Sequence, residues 1–290
     1  MKITFIGTSA GEGYPGVWCE CPNCAKARRL GGRNIRGNSC ALLDEDFLID
    51  MNAHFAAMAP RLGISPTKIR GLLVTHPHMD HFAPEFLAKR AMRPELRSLS
   101  WEEKQNYISP CFSELPMLHV YGNAYTRQAL FARQHVMEQA GNTMIEFHLI
   151  EDGVPQRQDD LTFIPVRSRH TDISGYCHNY LISRNGKTLL YASETGGYDP
   201  DMMDLVLSQK YDCVIMEGTF GLGATIERHM SLKKNREMVK LFNEHNVWKN
   251  GQNFHLTHIC PHWTPVHDEY AAMLKDEGIE IAYDGKVIEF

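Results

Sequence analysis

The sequence lacks the features that mark membrane-spanning, nucleic-acid-binding and small secreted proteins. It contains no run of about 18 apolar residues, which excludes a membrane-spanning helix. Its formal net charge of −5 argues against a nucleic-acid-binding surface, although a local basic groove remains open. The N-terminal residues predict a strand over 3–7 rather than a signal peptide, so a cytoplasmic location is expected. The eight cysteines belong to a chain too long for a small secreted disulfide scaffold.

Nothing in the sequence divides the chain into separate units. It has 290 residues, of which 43% are apolar and 22% are charged, and this is the composition of an ordinary globular protein. It contains no low-complexity linker and no obvious internal repeat. A chain of this length forms one large two-layer domain or two small ones, and we expect a single domain over residues 1–290.

Strand-like segments recur along the chain, and helical patterns lie between them. Apolar runs with β-branched or aromatic residues predict strands at 3–7, 40–43, 47–50, 71–75, 118–121, 145–150, 161–166, 180–183, 188–192, 213–217, 254–258 and 279–283. Helices are predicted around 53–62, 124–139, 200–208, 232–246 and 265–277. The Asn185-Gly186 pair between two strands is typical of a β-hairpin. The order of the elements predicts two packed sheets with helices outside.

The most informative segment places three histidines and an aspartate within residues 76–81, directly after an apolar run. In an extended segment His76 and His78 point to the same face and can hold one ion, because side chains alternate along a strand. Asp80 and His81 lie where the chain is expected to turn into the next helix, and they can hold a second ion. Imidazole and carboxylate ligands suit zinc, manganese or iron. Two such ions at short range generate hydroxide at neutral pH and stabilise a phosphoryl or acyl oxygen.

Three further residues with ligand side chains follow predicted strands or apolar runs: His170, Glu194 and His258. Together with residues 76–81 they reproduce the order of the metallo-β-lactamase-fold hydrolases, which the chain resembles: H-x-H-x-D-H, a histidine, a bridging carboxylate and a last histidine. The resemblance implies an α/β fold, a four-layer αββα sandwich. It also implies two ligand sets, which are His76, His78 and His170 for one ion and Asp80, His81 and His258 for the other, with Glu194 in the bridging position.

Glu194 departs from the aspartate that is usual at the bridging position of this family. A glutamate can still bridge, but its extra methylene reaches farther, which would alter the metal spacing or leave one ion weakly held. A solvated loop carboxylate is the alternative reading of Glu194.

A cysteine cluster near the N-terminus is read as a second kind of metal site. Its members are Cys19, Cys21 and Cys24, and it lies between Gly7-Thr8-Ser9-Ala10 and Leu48-Ile49-Asp50. In this combination the chain resembles the PhnP-type cyclic phosphodiesterases, and the pyrroloquinoline-quinone biosynthesis B proteins share parts of the pattern. The resemblance implies a structural zinc held by the three cysteines and a histidine. His262 is the favoured fourth ligand and Cys260 is the alternative.

The second element of that resemblance is Glu217-Gly218-Thr219-Phe220 followed by Arg228-His229-Met230-Ser231. Phosphodiesterases of this fold carry a histidine near the start of the following helix, within reach of the scissile phosphate, and His229 matches it. Ser231 is a suitable N-cap for the helix, so we expect the positive end of the helix dipole to act on His229. His229 would bind a phosphate oxygen or protonate the leaving alkoxide. A surface residue beside the cap is the alternative.

Other histidines have no motif that would give them a partner. They are His54, His119, His135, His148, His178, His255 and His267, and we expect them to be bystanders.

Residues 84–116, between the histidine motif and the next predicted strand, stand apart from both family patterns. They carry arginine and aromatic residues among polar ones, namely Arg90, Arg93, Arg97, Trp101, Tyr107 and Phe112. They predict either a lid insertion over the metals or a surface helical excursion.

The combined reading is a hydrolase that acts on a small or cyclic phosphodiester through a bridging hydroxide, with Asp80 and His229 as catalytic residues. Its expected cofactors are two divalent ions, zinc or manganese with iron as an alternative, and one structural zinc. Three other functions stay open: hydrolysis of a thioester or lactone, an iron-dependent step of cofactor biosynthesis, and binding by a protein with an impaired metal site. The expected partner is a small-molecule phosphodiester substrate, and the sequence leaves a homodimer open.

Overall fold

Two seven-stranded sheets form the centre of the molecule in a computed structural model that describes residues 1–91, 96, 98–106, 114–140, 142–172, 175–224 and 226–290. The strands of the first sheet are β1 (Lys2–Gly7), β2 (Cys40–Leu43), β3 (Phe47–Ile49), β4 (Gly71–Leu73), β5 (Leu118–Gly122), β6 (Ile145–Leu149) and β14 (Val287–Glu289). Their order across the sheet is β14-β1-β2-β3-β4-β5-β6, and β3 to β6 run parallel.

The second sheet is formed by β7 (Gln156–Gln158), β8 (Leu161–Asp172), β9 (Gly175–Arg184), β10 (Lys187–Ala192), β11 (Cys213–Glu217), β12 (Phe254–Thr257) and β13 (Ile279–Ile281). Its order is β13-β12-β11-β10-β9-β8-β7, with β10 to β13 parallel. The parallel strands of each sheet end at the same edge, so the loops that follow them meet there.

The helices are α1 (Pro22–Leu30), α2 (Phe55–Arg61), α3 (Trp101–Lys104), α4 (Ala124–Phe131), α5 (Gln134–Ala140), α6 (Pro200–Leu207), α7 (Leu232–Glu244) and α8 (His267–Leu274). None of the described helices is both long and apolar enough to cross a bilayer.

Three apolar clusters fill the spaces between the layers. The middle cluster joins the facing surfaces of the two sheets, for example through Phe5 and Ile215. Val214 lies on the opposite side of β11 and packs with Phe242 of α7, because successive side chains of a strand point to opposite faces. On the first sheet, Val120 joins a third cluster with residues of α2 and α4. Helices therefore cover both outer faces, and the predicted four-layer αββα sandwich is confirmed.

Most predicted strands are present. The hairpin is confirmed, since Asn185 and Gly186 both adopt positive φ, 52° and 76°, between β9 and β10. The helix predicted over 124–139 is wrong as a single element, because α4 and α5 are separate helices. The strand predicted at 161–166 continues to Asp172, where it still pairs with β9. The histidine motif was expected in an extended segment, but β4 ends at Leu73 and the motif lies in the loop beyond it.

The segment 84–116 contains helical elements, as one of its two readings expects. A 3₁₀ helix spans Pro84–Arg90, and α3 begins at a capping box formed by Ser100 and Glu103. Arg90 donates a hydrogen bond to the carbonyl of Pro116, 2.7 Å away, which joins the two ends of the segment. Arg93, Arg97, Tyr107 and Phe112 lie outside the described residues. The lid over the metals stays a prediction.

Candidate metal centre

The first predicted ligand set lies together at the edge of the sandwich. His76, His78, His170 and Glu194 each offer a ligand atom, and these atoms all lie within 4.8 Å of one another. His76 Nε2 is 2.8 Å from His78 Nδ1 and 3.0 Å from Glu194 Oε2, and His170 Nε2 is 3.4 Å from Glu194 Oε1. His76 and His78 lie in the loop after β4, His170 lies near the end of β8, and Glu194 follows β10, and these parts of the chain meet at one edge of the two sheets.

The second predicted set lies beside the first. Asp80, His81 and His258 form another group with ligand atoms within 4.8 Å of one another. His81 Nε2 is 3.2 Å from His258 Nε2, and Asp80 Oδ2 is 3.4 Å from the first of these nitrogens and 3.7 Å from the second. The structure thus divides the ligand residues into the two sets that the sequence predicts.

Glu194 lies between the two groups and is buried, so it is not a solvated loop carboxylate. Its Oε2 is 3.0 Å from His76 Nε2 and 2.9 Å from His81 Nε2, which belong to different groups. Burial alone would raise the pKa of Glu194, but the histidines around it hold that pKa well below its ordinary range. The glutamate side chain is therefore long enough to serve both groups as an anion.

The outer nitrogen of each buried histidine contacts a neighbouring oxygen, which turns Nε2 toward the centre. The four contacts are His76 Nδ1 to Thr75 Oγ1 at 3.0 Å, His81 Nδ1 to Asp50 Oδ2 at 2.7 Å, His170 Nδ1 to Arg228 O at 3.2 Å and His258 Nδ1 to Thr219 Oγ1 at 2.8 Å. Asp50 positions both sets. It contacts His81 of the second set directly, and it accepts a hydrogen bond at 3.0 Å from the Thr75 hydroxyl, which contacts His76 of the first set.

Two positions of the centre adopt a backbone conformation that is rare outside glycine. Asp50 follows β3 with φ of 60°, and His258 follows β12 with φ of 54°. Such residues persist where the surrounding structure fixes them, and they concentrate at functional sites. Both side chains belong to the ligand region, one as an anchor and the other as a ligand.

The residues of the two sets fit divalent metal ions. His170 Nε2 and Glu194 Oε2 are buried, and within the described part of the chain neither makes a hydrogen bond, because the imidazole nitrogens close to Glu194 Oε2 are not oriented to donate to it. Such burial is costly unless another group satisfies these atoms. Ligands about 2.0–2.2 Å from one ion are themselves about 3 Å apart, as these atoms are. Imidazole nitrogen with carboxylate oxygen accommodates zinc, manganese or iron.

The structure adds Glu217 to the candidate site, a residue to which the sequence analysis assigned no role. It is completely buried at the end of β11, and its Oε1 accepts a hydrogen bond from Thr195 N at 2.7 Å. Its Oε2 accepts from the Thr219 hydroxyl and lies 3.0 Å from His229 Nδ1. Glu217 thus connects His229 with the Thr219 hydroxyl that contacts His258. Its sequence signals were its position at the end of an apolar strand and its place in the Glu217-Gly218-Thr219-Phe220 element, but neither indicated which residue its carboxylate contacts.

His229 lies beside the ligand groups, with its Nε2 3.9 Å from Glu194 Oε1. Ser231 is the N-cap of α7, as predicted, but His229 precedes the cap by two residues. The influence of the helix dipole on His229 stays a prediction. Burial would lower the pKa of His229, yet the Glu217 carboxylate raises it to about 9. Glu217 therefore holds the His229 ring in place beside the ligand groups.

The three N-terminal cysteines also lie together, at the start of α1. The thiols of Cys19, Cys21 and Cys24 are within 4.8 Å of one another. Backbone N–H groups donate to each sulfur, from Cys21 to Cys19 at 3.4 Å, from Cys24 to Cys21 at 3.5 Å and from Gly16 to Cys24 at 3.3 Å. This arrangement supplies three ligands of a tetrahedral zinc site.

Both candidates for the fourth ligand of the cysteine site belong to a neighbouring group. Cys260 Sγ is 3.6 Å from His262 Nδ1 and 3.5 Å from Glu12 Oε1. His262 lines the same small cavity as Cys19. The choice between Cys260 and His262 stays a prediction in favour of His262.

Cys21→Ser is expected to remove about one equivalent of zinc per chain and to lower the melting temperature, because a structural zinc contributes its binding free energy to folding. Zinc content by atomic emission and melting by circular dichroism check this. The same measurements on His262→Ala and Cys260→Ser separate the two fourth-ligand candidates. Unchanged zinc content and melting temperature in Cys21→Ser would refute a structural zinc at this cluster.

Comparison with known proteins agrees with this fold. The family described as "Beta-lactamase superfamily domain" matches residues 45–259. The chain therefore belongs to the β-lactamase superfamily.

Three similar proteins are described either as coenzyme PQQ synthesis proteins or as a diphosphatase. Coenzyme PQQ synthesis protein B of Nitrosococcus oceani is 24% identical over 324 aligned residues, which cover 98% of both chains. A solved diphosphatase of the PhnP family is 21% identical, with a TM-score of 0.70 over 100% of this chain and 97% of that one. Zn²⁺-bound PqqB of Methylobacterium extorquens is 15% identical, with a TM-score of 0.73 over 100% of both chains. At these identities the two structures show a shared fold.

Proposed function

We propose that this chain hydrolyses a small or cyclic phosphodiester at two divalent metal ions. The observation that carries the proposal is the position of Glu194, whose Oε2 lies about equally close to His76 of one ligand group and His81 of the other, at 3.0 and 2.9 Å. A carboxylate that lies between two groups of nitrogen and oxygen ligands is suited to hold two metal ions side by side. The likeness to a solved diphosphatase of the PhnP family supports a phosphate compound as substrate.

Two ions bound there would supply an activated water at neutral pH and would stabilise charge on the phosphoryl oxygens. Asp80 contributes a carboxylate whose pKa is held far below its ordinary range by His81 and His258, although burial alone would raise it. It therefore stays an anionic ligand. His229 is bound through Nδ1 to Glu217, which leaves Nε2 facing the centre. The proton on Nε2 is available for a phosphate oxygen or for the leaving alkoxide.

Two aromatic side chains continue the site toward the surface. The Phe220 ring lies 5.7 Å from the His229 ring and 5.8 Å from the Trp263 ring, with interplanar angles of 29° and 18°. Trp263 is 44% exposed. A planar or apolar group on the leaving oxygen of the substrate would pack along these rings. This wall favours an organic phosphodiester over a purely ionic substrate.

A second candidate function is an iron-dependent step in cofactor biosynthesis. The observation that favours it is the likeness to coenzyme PQQ synthesis protein B, which extends over 98% of both chains. The histidine and carboxylate ligands accommodate iron as well as zinc or manganese.

The two candidates differ in substrate and in metal. Protein loaded separately with Zn²⁺, Mn²⁺ or Fe²⁺ is assayed with bis(p-nitrophenyl) phosphate, a ribose cyclic phosphate and p-nitrophenyl acyl esters. The proposal expects turnover of the phosphodiesters with zinc or manganese. Hydrolysis of acyl esters alone by fully loaded protein would contradict it, and inactivity toward every ester would favour the second candidate.

Glu194→Asp is expected to weaken the binding of at least one ion about tenfold or more, although aspartate is the usual residue in this family. The side chain loses one methylene, so its carboxylate no longer reaches both His76 and His81. Titration of metal-free protein with Zn²⁺, followed by calorimetry, measures the effect, and Glu194→Gln serves as the control of equal length without the charge. Two ions bound as tightly as in the wild type would show that the length of Glu194 is immaterial.

A further inference from the structure

Two of the histidines expected to be bystanders lie together with a carboxylate on the first sheet. In the parallel ladder of β5 and β6, His119 pairs with Glu146, and Tyr121 pairs with His148. Side chains two positions apart share a face of a strand, so all four point to the same side of the sheet. This is the side that faces the second sheet, because Tyr121 belongs to the apolar cluster between the sheets.

The ligand atoms of His119, Glu146 and His148 lie within 4.8 Å of one another. His119 Nδ1 is 2.9 Å from His148 Nε2 and 3.4 Å from Glu146 Oε2, and His148 Nε2 is 3.9 Å from Glu146 Oε1. Two ligands bound about 2.0–2.2 Å from one transition-metal ion are separated by about 3–3.5 Å. A hydrogen bond between the two imidazoles would explain the first contact, but not the convergence of the carboxylate on both rings.

The rest of the cluster prepares it for a cation. Tyr121 stacks on His148 with ring centroids 4.7 Å apart and an interplanar angle of 19°, and its hydroxyl donates to Gln158 Oε1 at 3.1 Å. These contacts fix the orientation of the His148 ring. Burial lowers the pKa of His148, and an imidazole must be neutral to bind a metal. The side chains of His119 and His148 are 28% and 31% exposed, so an ion can enter from solvent.

The cluster is separate from the candidate metal centre. His119 pairs with Gly71, the first residue of β4, whereas the histidine motif follows the last residue of that strand, Leu73. Tyr121 pairs with Leu73 and with His148, so the cluster extends to the end of β4, but it shares no residue with the two ligand groups of the candidate metal centre.

We propose that His119, Glu146 and His148 form a further metal site that binds one divalent transition-metal ion of the zinc, nickel or copper class. Two imidazoles and one carboxylate supply three ligands and leave positions for water, which is the donor set these ions favour. The ion would connect the edge strand β6 to β5, since it takes one ligand from β5 and two from β6. The proposal is independent of the reaction at the candidate metal centre.

The test uses the full chain with all its metal sites filled by Zn²⁺. One added equivalent of Cu²⁺ is expected to replace the zinc of this exposed three-ligand site first, because Cu²⁺ binds such ligands more tightly than Zn²⁺, and its electron paramagnetic resonance spectrum should show hyperfine coupling to two nitrogens. His148→Gln should lose this equivalent and the two-nitrogen pattern, while phosphodiester hydrolysis and the content of the other metals stay at wild-type values. His245→Gln, which changes an exposed histidine after α7, is the matched control and should bind copper like the wild type.

Glu146→Gln provides a second variant at an exposed position and should weaken copper binding about tenfold or more. Equal copper binding by the wild type and His148→Gln would overturn the proposal. Loss of the copper equivalent in His245→Gln as well would show that exposed histidines bind the ion without a defined site, and this would also overturn it.

Discussion

Asp80→Ala is expected to lower the rate of bis(p-nitrophenyl) phosphate hydrolysis by at least about 100-fold. Asp80 is the only carboxylate in its ligand group, and its Oδ2 lies 3.4 and 3.7 Å from the two histidine nitrogens of that group. Its removal weakens the binding of one metal ion, and metal ions stabilise the transition state by several kcal/mol. Each 1.36 kcal/mol of lost stabilisation lowers the rate about tenfold. Steady-state kinetics at saturating metal concentrations measure the loss.

Asp276→Ala is the matched control for this experiment, because Asp276 is an exposed aspartate in the short helical segment after α8. It should keep wild-type activity and wild-type metal content. Metal content of Asp80→Ala is measured alongside and should fall by up to one ion per chain. A variant that keeps both its metal and its activity would show that Asp80 is not a ligand of a catalytic ion.

His229→Ala is expected to slow the hydrolysis of phosphodiesters with poor alkoxide leaving groups by about 10²- to 10⁴-fold, and to affect activated nitrophenyl esters much less. General acid catalysis matters where the leaving oxygen needs a proton. Metal content should stay at the wild-type value, because His229 belongs to neither ligand group. Comparison of kcat/KM for alkyl and nitrophenyl diesters gives the result.

Glu217→Gln tests how His229 is held. The substitution keeps the shape of the side chain but removes the charge that pairs with His229 Nδ1. The same selective loss on alkyl esters is expected, smaller than in His229→Ala. An equal loss for both classes of leaving group in His229→Ala would assign this histidine to phosphate binding, and a loss of metal would make it a ligand.

The candidate ligands could be predicted from sequence because each one lies in a short motif, directly after a strand or, as His170 does, near the end of one. His170, Glu194 and His258 are far apart along the chain, but the strands that carry or precede them end at one edge of the second sheet, so the topology brings them together. Glu217 could not be assigned, since its contact with His229 depends on how the loop after β11 folds back over the strand end. Glu194 was the most uncertain of the expected ligands, and only the folded structure could show that its longer side chain reaches His76 of one ligand group and His81 of the other.

The fold was predictable where the apolar pattern is strong. β7 was missed because Gln156-Arg157-Gln158 is a polar segment on an edge, where hydrogen bonding to β8 alone defines the strand. The helix α1 was missed because only Cys24 and Ala27 of its residues are buried, so it has little apolar periodicity. His119 and His148 were set aside for a related reason, since their common partner Glu146 becomes visible only through the parallel register of β5 and β6.

The most direct test of the account is anomalous diffraction from crystals of the protein loaded with Zn²⁺. We expect two peaks about 3.5–4 Å apart at the candidate metal centre. One should be bound by His76, His78 and His170, and the other by Asp80, His81 and His258, with the Glu194 carboxylate in contact with both. A single peak at this centre, or a Glu194 carboxylate that touches neither ion, would contradict a two-metal hydrolase.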